Sequence, residues 1–563
     1  MGQGVNTGCS FGTLHLCQSE DSPSASGGLV LPARCECSGA GAAASQLIGR
    51  VDKAYSVDLA GDIWLPGSSS FSTALRGTKR NIPEPRILRL ISKKRYNRDR
   101  FLRELEVLRN IDHPNLAKVH DVVDDPRFLT LVMEAAHGAD LFSAVSAEPS
   151  PRLSEWSIGQ IVRQILAGLH HLHAAGLAHE DVQPQNIIAA RSPMGPELRL
   201  KLIDYGFARK YSKGSTVALW HCMHCWAPEQ VSESMSPRTT LAEPACDVWA
   251  TGAIAYALLS GHWPFDSDSP TLLRKKVKSG LWAFLPSESW VVSDRAKAFV
   301  TALMVANPAK RPSATQAMAH AFLKLDELDK NAIKPLARSP EIVQSLRRLA
   351  AWRSLQLELL HAIALQAGKS PQLIEALRKH LAAADWGTKG KQAVPFSGLR
   401  RVLVQAGVQL PGRFLESLSV LNSSADALSL QVQELCDAAA DRHRGLEESA
   451  LWVCWTSVIT DGAPAARRPD LVQVLDKGGI LLRQVFGQQK VNGVEHSVGK
   501  AVGASELTTF DDLLARLRPV PAAQGLAVGS GSAAVSAELS TRLGGWRGSP
   551  GELAVRLPPV EDF

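Results

Sequence analysis

The stretch His179-Glu180-Asp181-Val182-Gln183-Pro184-Gln185-Asn186 brings two acids, three side-chain amides and a histidine into one short segment. It follows residues 154–176, whose apolar side chains recur at steps of three and four and predict a buried amphipathic helix. It precedes a strand-like run at 198–203 and then Asp204-Tyr205-Gly206. We therefore expect these polar groups in loops between a helix and a strand, where they either do chemistry or satisfy neighbouring backbone groups.

Three further motifs follow in order along the chain. They are Ala227-Pro228-Glu229, the helical run DVWATG that begins at Asp247, and KRPSA, which contains Arg311. This set, in this order and spacing, resembles the protein kinases over about residues 55–324. The wording of 101–122 (FLRELEVLRNIDHPNLAKVHDV) and 258–265 (LLSGHWPF) is similar to the calcium-dependent protein kinases, relatives of the calmodulin-dependent group.

The predicted fold class is α+β. Short β-like runs dominate 55–134 and helical patterns dominate after 153, so the resemblance implies a two-lobed protein kinase fold with lobes at 55–134 and 135–324. A junction with a basic amphipathic helix follows at 325–369, and then an all-α EF-hand-like (calmodulin-like) region at 370–518. The Gly-, Ala- and Ser-rich ends, 1–54 and 519–563, indicate a flexible leader and tail.

The resemblance implies phosphoryl transfer from ATP with Mg²⁺. Asp181 would accept the proton of a substrate hydroxyl, and Asn186 and Asp204 would hold the metal. In the alternative reading these three residues persist only as hydrogen-bonding groups of the fold. Glu229 and Arg311 would form a structural ion pair. The positions expected to contact the nucleotide are Gly67, Ser69, Arg89, Glu104 and Glu134.

The nucleotide-binding strands depart from the family pattern. The segment Gly67-Ser68-Ser69-Ser70-Phe71-Ser72 keeps only the first glycine of G-x-G-x-x-G, so backbone positions that should approach phosphate carry a Cβ. Arg89 stands where the family has a lysine, and its planar fork does not replace an ammonium conservatively. Lys93 lies ~13 Å further along the strand, too far to substitute. Ile87 replaces a small alanine and narrows the adenine slot.

The catalytic segment departs from the pattern as well. Gln183 replaces the lysine that steadies the transferring phosphoryl group, Glu180 replaces an arginine, and Cys222 replaces a threonine of the activation segment. Electrostatic contacts to a transferring phosphoryl group are each worth about 10²–10³-fold in rate. We therefore do not expect efficient turnover.

The calcium loops of the EF-hand-like region are depleted of ligands. Such a loop needs oxygen ligands at positions 1, 3, 5, 7 and 12. The first unit offers Asp385 at position 1, the second keeps Glu434, and the fourth keeps Asp512, each with few other carboxylates. The third keeps Asp461 and Asp470 at positions 3 and 12 but has Ile459 and Ala463 at positions 1 and 5. We expect no Ca²⁺ binding at cytosolic levels and a structural helical module instead.

The junction helix, 342–365, combines Leu346 and Trp352 with Arg347, Arg348 and Arg353. A basic amphipathic helix can dock in a calmodulin-like groove, so we expect it to contact the EF-hand-like lobes of the same chain. In the resembling family it connects kinase and calcium lobes and restrains the kinase. A simple packing helix is the open alternative.

The bulk composition excludes several classes of protein. The net charge of +7 over 563 residues is mild and scattered, which does not call for a nucleic-acid role. Nine irregularly spaced cysteines without a secretory pattern indicate reduced thiols in the cytoplasm. Four crowded donors at 221–225 (HCMHC) are poorly spaced for one zinc. Gly2 with Cys9 leaves open an acylated, peripherally membrane-bound N-terminus, although Asn6 replaces the expected Ser or Thr.

Two functional hypotheses follow from these residues. The first is a pseudokinase or scaffold that docks a protein partner through its lobes. The second is a slow, ATP-dependent Ser/Thr kinase of protein substrates, with Asp181 as base and Asn186 and Asp204 for Mg²⁺.

Overall fold

The structure is a computed structural model in which part of the chain is described. The described residues are 45–48, 54–57, 72–80, 82–95, 107–147, 153–191, 198–205, 220–231, 244–267, 270–284, 292–324, 334–369, 377, 393–395, 403–405, 408, 420–421, 429–459, 463, 465–486, 488–500 and 507–518. All of them belong to one compact unit, residues 43–563.

The small lobe is a six-stranded sheet with the order β1-β5-β6-β4-β3-β2. Its strands are β1 (Ser45–Ile48), β2 (Tyr55–Val57), β3 (Ser72–Lys79), β4 (Ile82–Ser92), β5 (Val119–Asp124) and β6 (Phe128–Glu134). Neighbouring strands are antiparallel, except that β1 runs parallel to β5. Strand β1 lies inside the segment 1–54, where the composition predicts a flexible leader, so backbone pairing extends further toward the N-terminus than composition indicates.

The large lobe is mostly helical and carries one small sheet, β7-β8-β9. Helix α2 begins with a capping box, in which Ser154 and Ser157 satisfy each other's backbone N–H groups. Helix α4 is buried almost all round, as a central core helix must be. The elements are β7 (Ala139–Asp140), α1 (Leu141–Ser146), α2 (Glu155–Ala174), β8 (Ile187–Arg191), β9 (Leu198–Leu202), α3 (Pro228–Val231), α4 (Pro244–Ser260), α5 (Pro270–Ser279), α6 (Asp294–Leu303) and α7 (Ala314–Met318).

A long helix and a helical module complete the described chain. Helix α8 (Ser339–Lys369) covers the predicted junction helix. Residues 429–518, which we call the C-terminal module, follow it. The remaining elements are β10 (Ala393–Pro395), β11 (Ser429–Gln431), α9 (Val432–Val458), β12 (Ala465–Ala466), α10 (Arg468–Lys477), α11 (Gly479–Phe486), α12 (Gln488–Lys500), β13 (Thr508–Thr509) and α13 (Phe510–Leu517). None of the described helices combines the length and the apolar character that a membrane crossing requires.

The two faces of the small-lobe sheet belong to two different hydrophobic cores. Leu129, Leu131 and Met133 of β6 join the core that runs through the large lobe. The alternate residues Phe128 and Val132 join a second core shared with the C-terminal module. Successive side chains of a strand point to opposite faces, so the sheet is a central layer between two cores.

Candidate nucleotide and catalytic site

Residues 179–186, which we call the catalytic loop, are held in place by Asp247 at the start of α4. The backbone N–H of His179 donates to Asp247 Oδ2 at 2.8 Å, and that of Glu180 donates to Oδ1 at 2.7 Å. His173 Nε2 lies 2.9 Å from the same carboxylate. Glu180 has φ +64, a left-handed conformation that is uncommon for a residue with a side chain. The buried carboxylate thus fixes a turn that would otherwise be costly.

Asp181 lies in a hydrogen-bonded group with two amide side chains. Gln183 Nε2 and Asn186 Nδ2 each donate to Asp181 Oδ2 at 2.8 Å, and Asn186 Nδ2 also donates to the backbone carbonyl of Asp181 at 2.9 Å. The structure therefore brings together all three residues predicted for the catalytic loop. Gln183 Oε1 is buried and makes no hydrogen bond to the described residues.

The protein surroundings of Asp181 weaken its acidity. Burial raises the pKa of this carboxyl to about 6, against the hydrogen bonds from Asn186 and Gln183 and the positive charge of Arg353, which lower it. The negative charge of Asp204 raises the pKa further. By surface area the residue is only half-buried, so some solvent still reaches it. Asp181 is therefore mostly ionised at pH 7, as a hydrogen-bond acceptor or base requires.

Arg89 and Asp204 form a direct, buried ion pair. Arg89 Nη1 donates to Asp204 Oδ1 at 2.5 Å, and the two side chains are 5% and 10% exposed. Asp204 adopts φ +63, which turns the chain sharply after β9. A charge-assisted contact of this kind between two buried groups is strong and directional.

This ion pair bears on whether the site fits a magnesium ion. The resemblance to the protein kinases implies ATP and Mg²⁺, and Mg²⁺ takes oxygen ligands in a near-ideal octahedron. Here the Asp204 carboxylate already accepts from a guanidinium, whose fixed positive charge repels a cation. The arrangement of these residues therefore does not fit a bound Mg²⁺.

Tyr205 and His179 form a buried connection below the site. The Tyr205 hydroxyl donates to the backbone carbonyl of Ala117, and its ring meets that of His179 edge-on at 6.3 Å. Burial raises the pKa of Tyr205 well above its usual range, so the hydroxyl remains a donor. The residue after Asp204 is thus anchored between the two lobes.

The side chain of Glu134, at the end of β6, forms its hydrogen bonds with residues other than Arg89 and Asp204. Its Oε2 accepts from Lys201 Nζ at 2.9 Å and from the backbone N–H of Lys118 at 3.2 Å. Its own backbone N–H donates to the Lys118 carbonyl at 2.8 Å. The side chain is therefore tied to β9, and a nucleotide contact would have to come from its backbone.

The ion pair predicted between Glu229 and Arg311 is present. Arg311 donates from Nη1 and Nη2 to the two oxygens of Glu229 at 2.6 and 2.8 Å. Its Nε donates to the Val305 carbonyl at 2.7 Å. This fork holds α3 against the end of the large lobe.

Helix α8 contributes a residue that sequence reasoning did not connect with this site. Arg353 is 9% exposed, and its charge acts on Asp181. Its Nε and Nη1 make no hydrogen bond to the described residues. The pattern of 342–365 marks Arg353 as one cation of an amphipathic helix, and nothing in that pattern says which cation faces the catalytic loop.

Several predicted residues lie outside the described part of the chain. These are Gly67, Ser69 and Glu104 of the nucleotide site, Asp385 of the first calcium loop, and Gly2 with Cys9. In the crowded HCMHC segment, His224 Nε2 lies 3.5 Å from Asp266 Oδ1. Among the described residues, no three or more His, Cys, Asp or Glu side chains are arranged to hold a metal ion.

Comparison with known proteins identifies the family. The model named "Protein kinase domain" matches residues 66–323. A probable myosin light chain kinase from Dictyostelium discoideum is 31% identical over 261 residues, which cover 46% of this chain and 79% of that protein. The chain therefore belongs to the protein kinase family, with a sheet-rich small lobe and a helical large lobe.

Two further relatives match about half of this chain. Serine/threonine-protein kinase H1 from Mus musculus is 31% identical over 291 residues, which cover 51% of this chain and 66% of that protein. Calcium-dependent protein kinase 5 from Plasmodium falciparum is 29% identical over 261 residues, which cover 46% of this chain and 44% of that protein. The match thus spans just under two thirds of kinase H1 and less than half of the Plasmodium kinase.

Proposed function

We propose that this chain is a pseudokinase or scaffold of the calcium-dependent-kinase type, which docks a protein partner and does not turn over ATP efficiently. The observation that carries the proposal is the Arg89–Asp204 ion pair, which commits the metal-binding carboxylate to a fixed cation.

The proposal also covers the region that follows the kinase domain, which is EF-hand-like by resemblance. The antiparallel pairing of β12 with β13 supports paired EF-hand-like loops, because it joins the third loop, which begins at Ile459, to the fourth, which ends at Asp512. Neither loop gains a carboxylate from this pairing, so the lobes serve as structure and do not respond to Ca²⁺. The proposal places the protein in the cytoplasm, whether or not Gly2 is acylated.

A slow protein Ser/Thr kinase is the second candidate. It is favoured by the geometry of Asp181, which keeps its Asn186 hydrogen bonds, and by a pKa of about 6, which leaves the carboxylate ionised at pH 7. Its protein substrates would be engaged at the same loop.

Two measurements on the full chain separate these candidates. Thermal denaturation is followed with ATP and Mg²⁺, with each alone, and with neither. Transfer of radiolabelled phosphate to a generic protein substrate and to the chain itself is followed in parallel, with Asp181→Asn as the matched control. We expect no rise in melting temperature and equal background transfer for both proteins. Transfer that disappears in Asp181→Asn would establish the slow kinase in place of the pseudokinase.

A further inference from the structure

The outer face of the small-lobe sheet is completed by the C-terminal module. Leu75, Leu88 and Phe128 are each at most 2% exposed, and their core neighbours include Trp452 and Trp455 of α9. Aromatic and aliphatic side chains buried this fully are removed from water by the module itself. The sheet therefore depends on α9 for one of its two hydrophobic layers.

A polar anchor joins the same two parts at the turn between β5 and β6. Trp452 Nε1 donates to Asp125 Oδ2 at 3.1 Å, while Asp125 Oδ1 accepts from the backbone N–H groups of Arg127 and Phe128. One carboxylate thus shapes the turn and holds the indole. On β3, Thr73 Oγ1 donates to Ser449 Oγ at 2.9 Å.

Arg127 is the centre of the charged part of this anchor. Its guanidinium carbon lies 4.2 Å from the ring centroid of Phe510 and 5.5 Å from that of Trp452. Its Nη1 lies 3.5 Å from Glu448, and its Nη2 pairs with Asp511. A guanidinium over two aromatic rings and beside two carboxylates combines cation–π and ionic attraction.

The module is joined to the large lobe through α8. This helix packs against α9 and α11 of the module and against α1 and α4 of the large lobe. Leu346 of α8 is fully buried in the large-lobe core, and Arg347 Nη2 donates to the Ser146 carbonyl of α1 at 2.6 Å. Gly261 follows α4 where a side chain would meet the backbone of Ile342 at 3.2 Å. Helix α8 is thus closely seated on the large lobe.

These contacts form one continuous path from the small-lobe sheet through α9 and α8 to the large lobe. We propose that the C-terminal module and α8 act as a calcium-independent clamp that fixes the relative orientation of the two kinase lobes. The clamp is independent of whether the site transfers phosphate, because none of its anchors uses the catalytic loop. Movement of the lobes would expose the core shared by the sheet and α9.

The distance between the lobes tests the clamp directly. In the full chain, p-acetylphenylalanine replaces Thr78 of β3 and Ala298 of α6, which are both exposed. A spin label is then attached to each. Electron–electron dipolar spectroscopy then gives the distance distribution in EGTA and in millimolar Ca²⁺. We expect one narrow distribution, the same in both buffers. A shift on adding Ca²⁺ to this parent protein would overturn the proposal, and this comparison needs no interface variant.

Charge variants at the anchor provide the second arm. Arg127→Glu places a carboxylate beside Glu448 and Asp511, so the distribution should broaden and shift to longer distances. Adding Asp511→Arg restores an opposite-charge pair and should narrow it again, which a general folding defect would not do. Arg163→Glu, an exposed site on α2, is the control and should leave it narrow. A distribution that stays narrow in Arg127→Glu would remove Arg127 from the anchors of the clamp and leave the shared core as its only basis on this side.

Discussion

Arg89 of β4 and Asp204, just beyond β9, are joined by a 2.5 Å hydrogen bond between Nη1 and Oδ1, with both side chains nearly removed from solvent. In the family pattern these positions carry the lysine that contacts phosphate and the aspartate that holds the metal. Here they neutralise each other. The charges of these two side chains are therefore balanced without a ligand.

Removing the arginine from this pair should destabilise the fold strongly. Arg89→Met leaves Asp204 buried and unpaired, at a cost of about 3–5 kcal/mol in the free energy of unfolding. Urea denaturation of the full chain measures it. The double variant Arg89→Met with Asp204→Asn should recover most of the loss, because the uncompensated charge is gone. Equal stability of Arg89→Met and the parent would show that the pair is unimportant.

The same single variant should also gain a response to magnesium. Without Arg89 the Asp204 carboxylate lacks a cation, so Mg²⁺ should raise the melting temperature of Arg89→Met. It should not do so in the parent or in the double variant. A rise in the parent on adding Mg²⁺ alone would contradict the conclusion that the ion pair excludes the metal.

Asp181 predicts a pH dependence of stability with a definite sign. Its pKa is raised to about 6 in the folded protein from an ordinary value of 3.8, so between these values the folded state holds a proton that the unfolded state has lost. Stability should therefore fall as pH rises from about 4 to 6 and then level off. Asp181→Asn should remove this slope and gain about 1–2 kcal/mol at pH 7, a range reduced for the remaining solvent exposure.

The control for that experiment has the opposite sign. The hydrogen bond from Lys118 holds the pKa of Asp112 below its usual range, so its contribution to stability is present at neutral pH and is lost as pH falls. Asp112→Asn should therefore leave intact the fall in stability that Asp181 causes as the pH rises from about 4 to 6. Denaturation curves at several pH values distinguish the two variants. Identical slopes in Asp181→Asn and the parent would refute the assignment.

Arg311 should tolerate no replacement, including a cationic one. Arg311→Met leaves the Glu229 carboxylate without its ion-pair partner and should lower the free energy of unfolding by about 3–5 kcal/mol. Arg311→Lys keeps the charge but cannot reproduce the two-pronged contact or the bond to Val305, so it should lie between the two proteins. Chemical denaturation measures both. A lysine variant as stable as the parent would mean that charge alone matters.

Two glycines separate the cost of backbone strain from the cost of crowding. Gly261 and Gly176 have nearly equal φ values of +77 and +78, but a Cβ at Gly261 would meet Ser345 Cβ at 2.9 Å and one at Gly176 would meet nothing within 4 Å. Gly176→Ala should lose about 1 kcal/mol for the left-handed backbone alone. Gly261→Ala should lose about 1–3 kcal/mol more, since α8 must shift. Equal losses would show that α8 is loosely seated.

The sequence predicts the kinase lobes well because their motifs are local. Asp181, Gln183 and Asn186 contact one another across a few residues, and their spacing alone brings their amide and carboxylate groups together. The Glu229–Arg311 pair was predicted from resemblance, since no local pattern joins positions so far apart. The neutralising contact between Arg89 and Asp204 was not predicted, because each residue was assigned to a ligand.

The parts that were missed depend on packing between distant segments. Helical periodicity gives the faces of α8 but not the partner of each face, so it did not place Arg353 near Asp181. A clearer signal was available in β4, where Leu88 and Leu90 face one core and Ile91 the other. A strand with apolar residues on both faces indicates a sheet covered on both sides. That pattern predicts a second covering layer but does not identify it as α9.

The sharing of one core by the small-lobe sheet and α9 separates two meanings of the word domain. The region 66–323 is a unit of descent, since the protein kinase family model matches it. It is not a complete unit of packing, because Trp452 and its neighbours supply one wall of its sheet. Truncation at the boundary near residue 324 would therefore remove that wall and leave Leu75, Leu88 and Phe128 without the side chains that cover them.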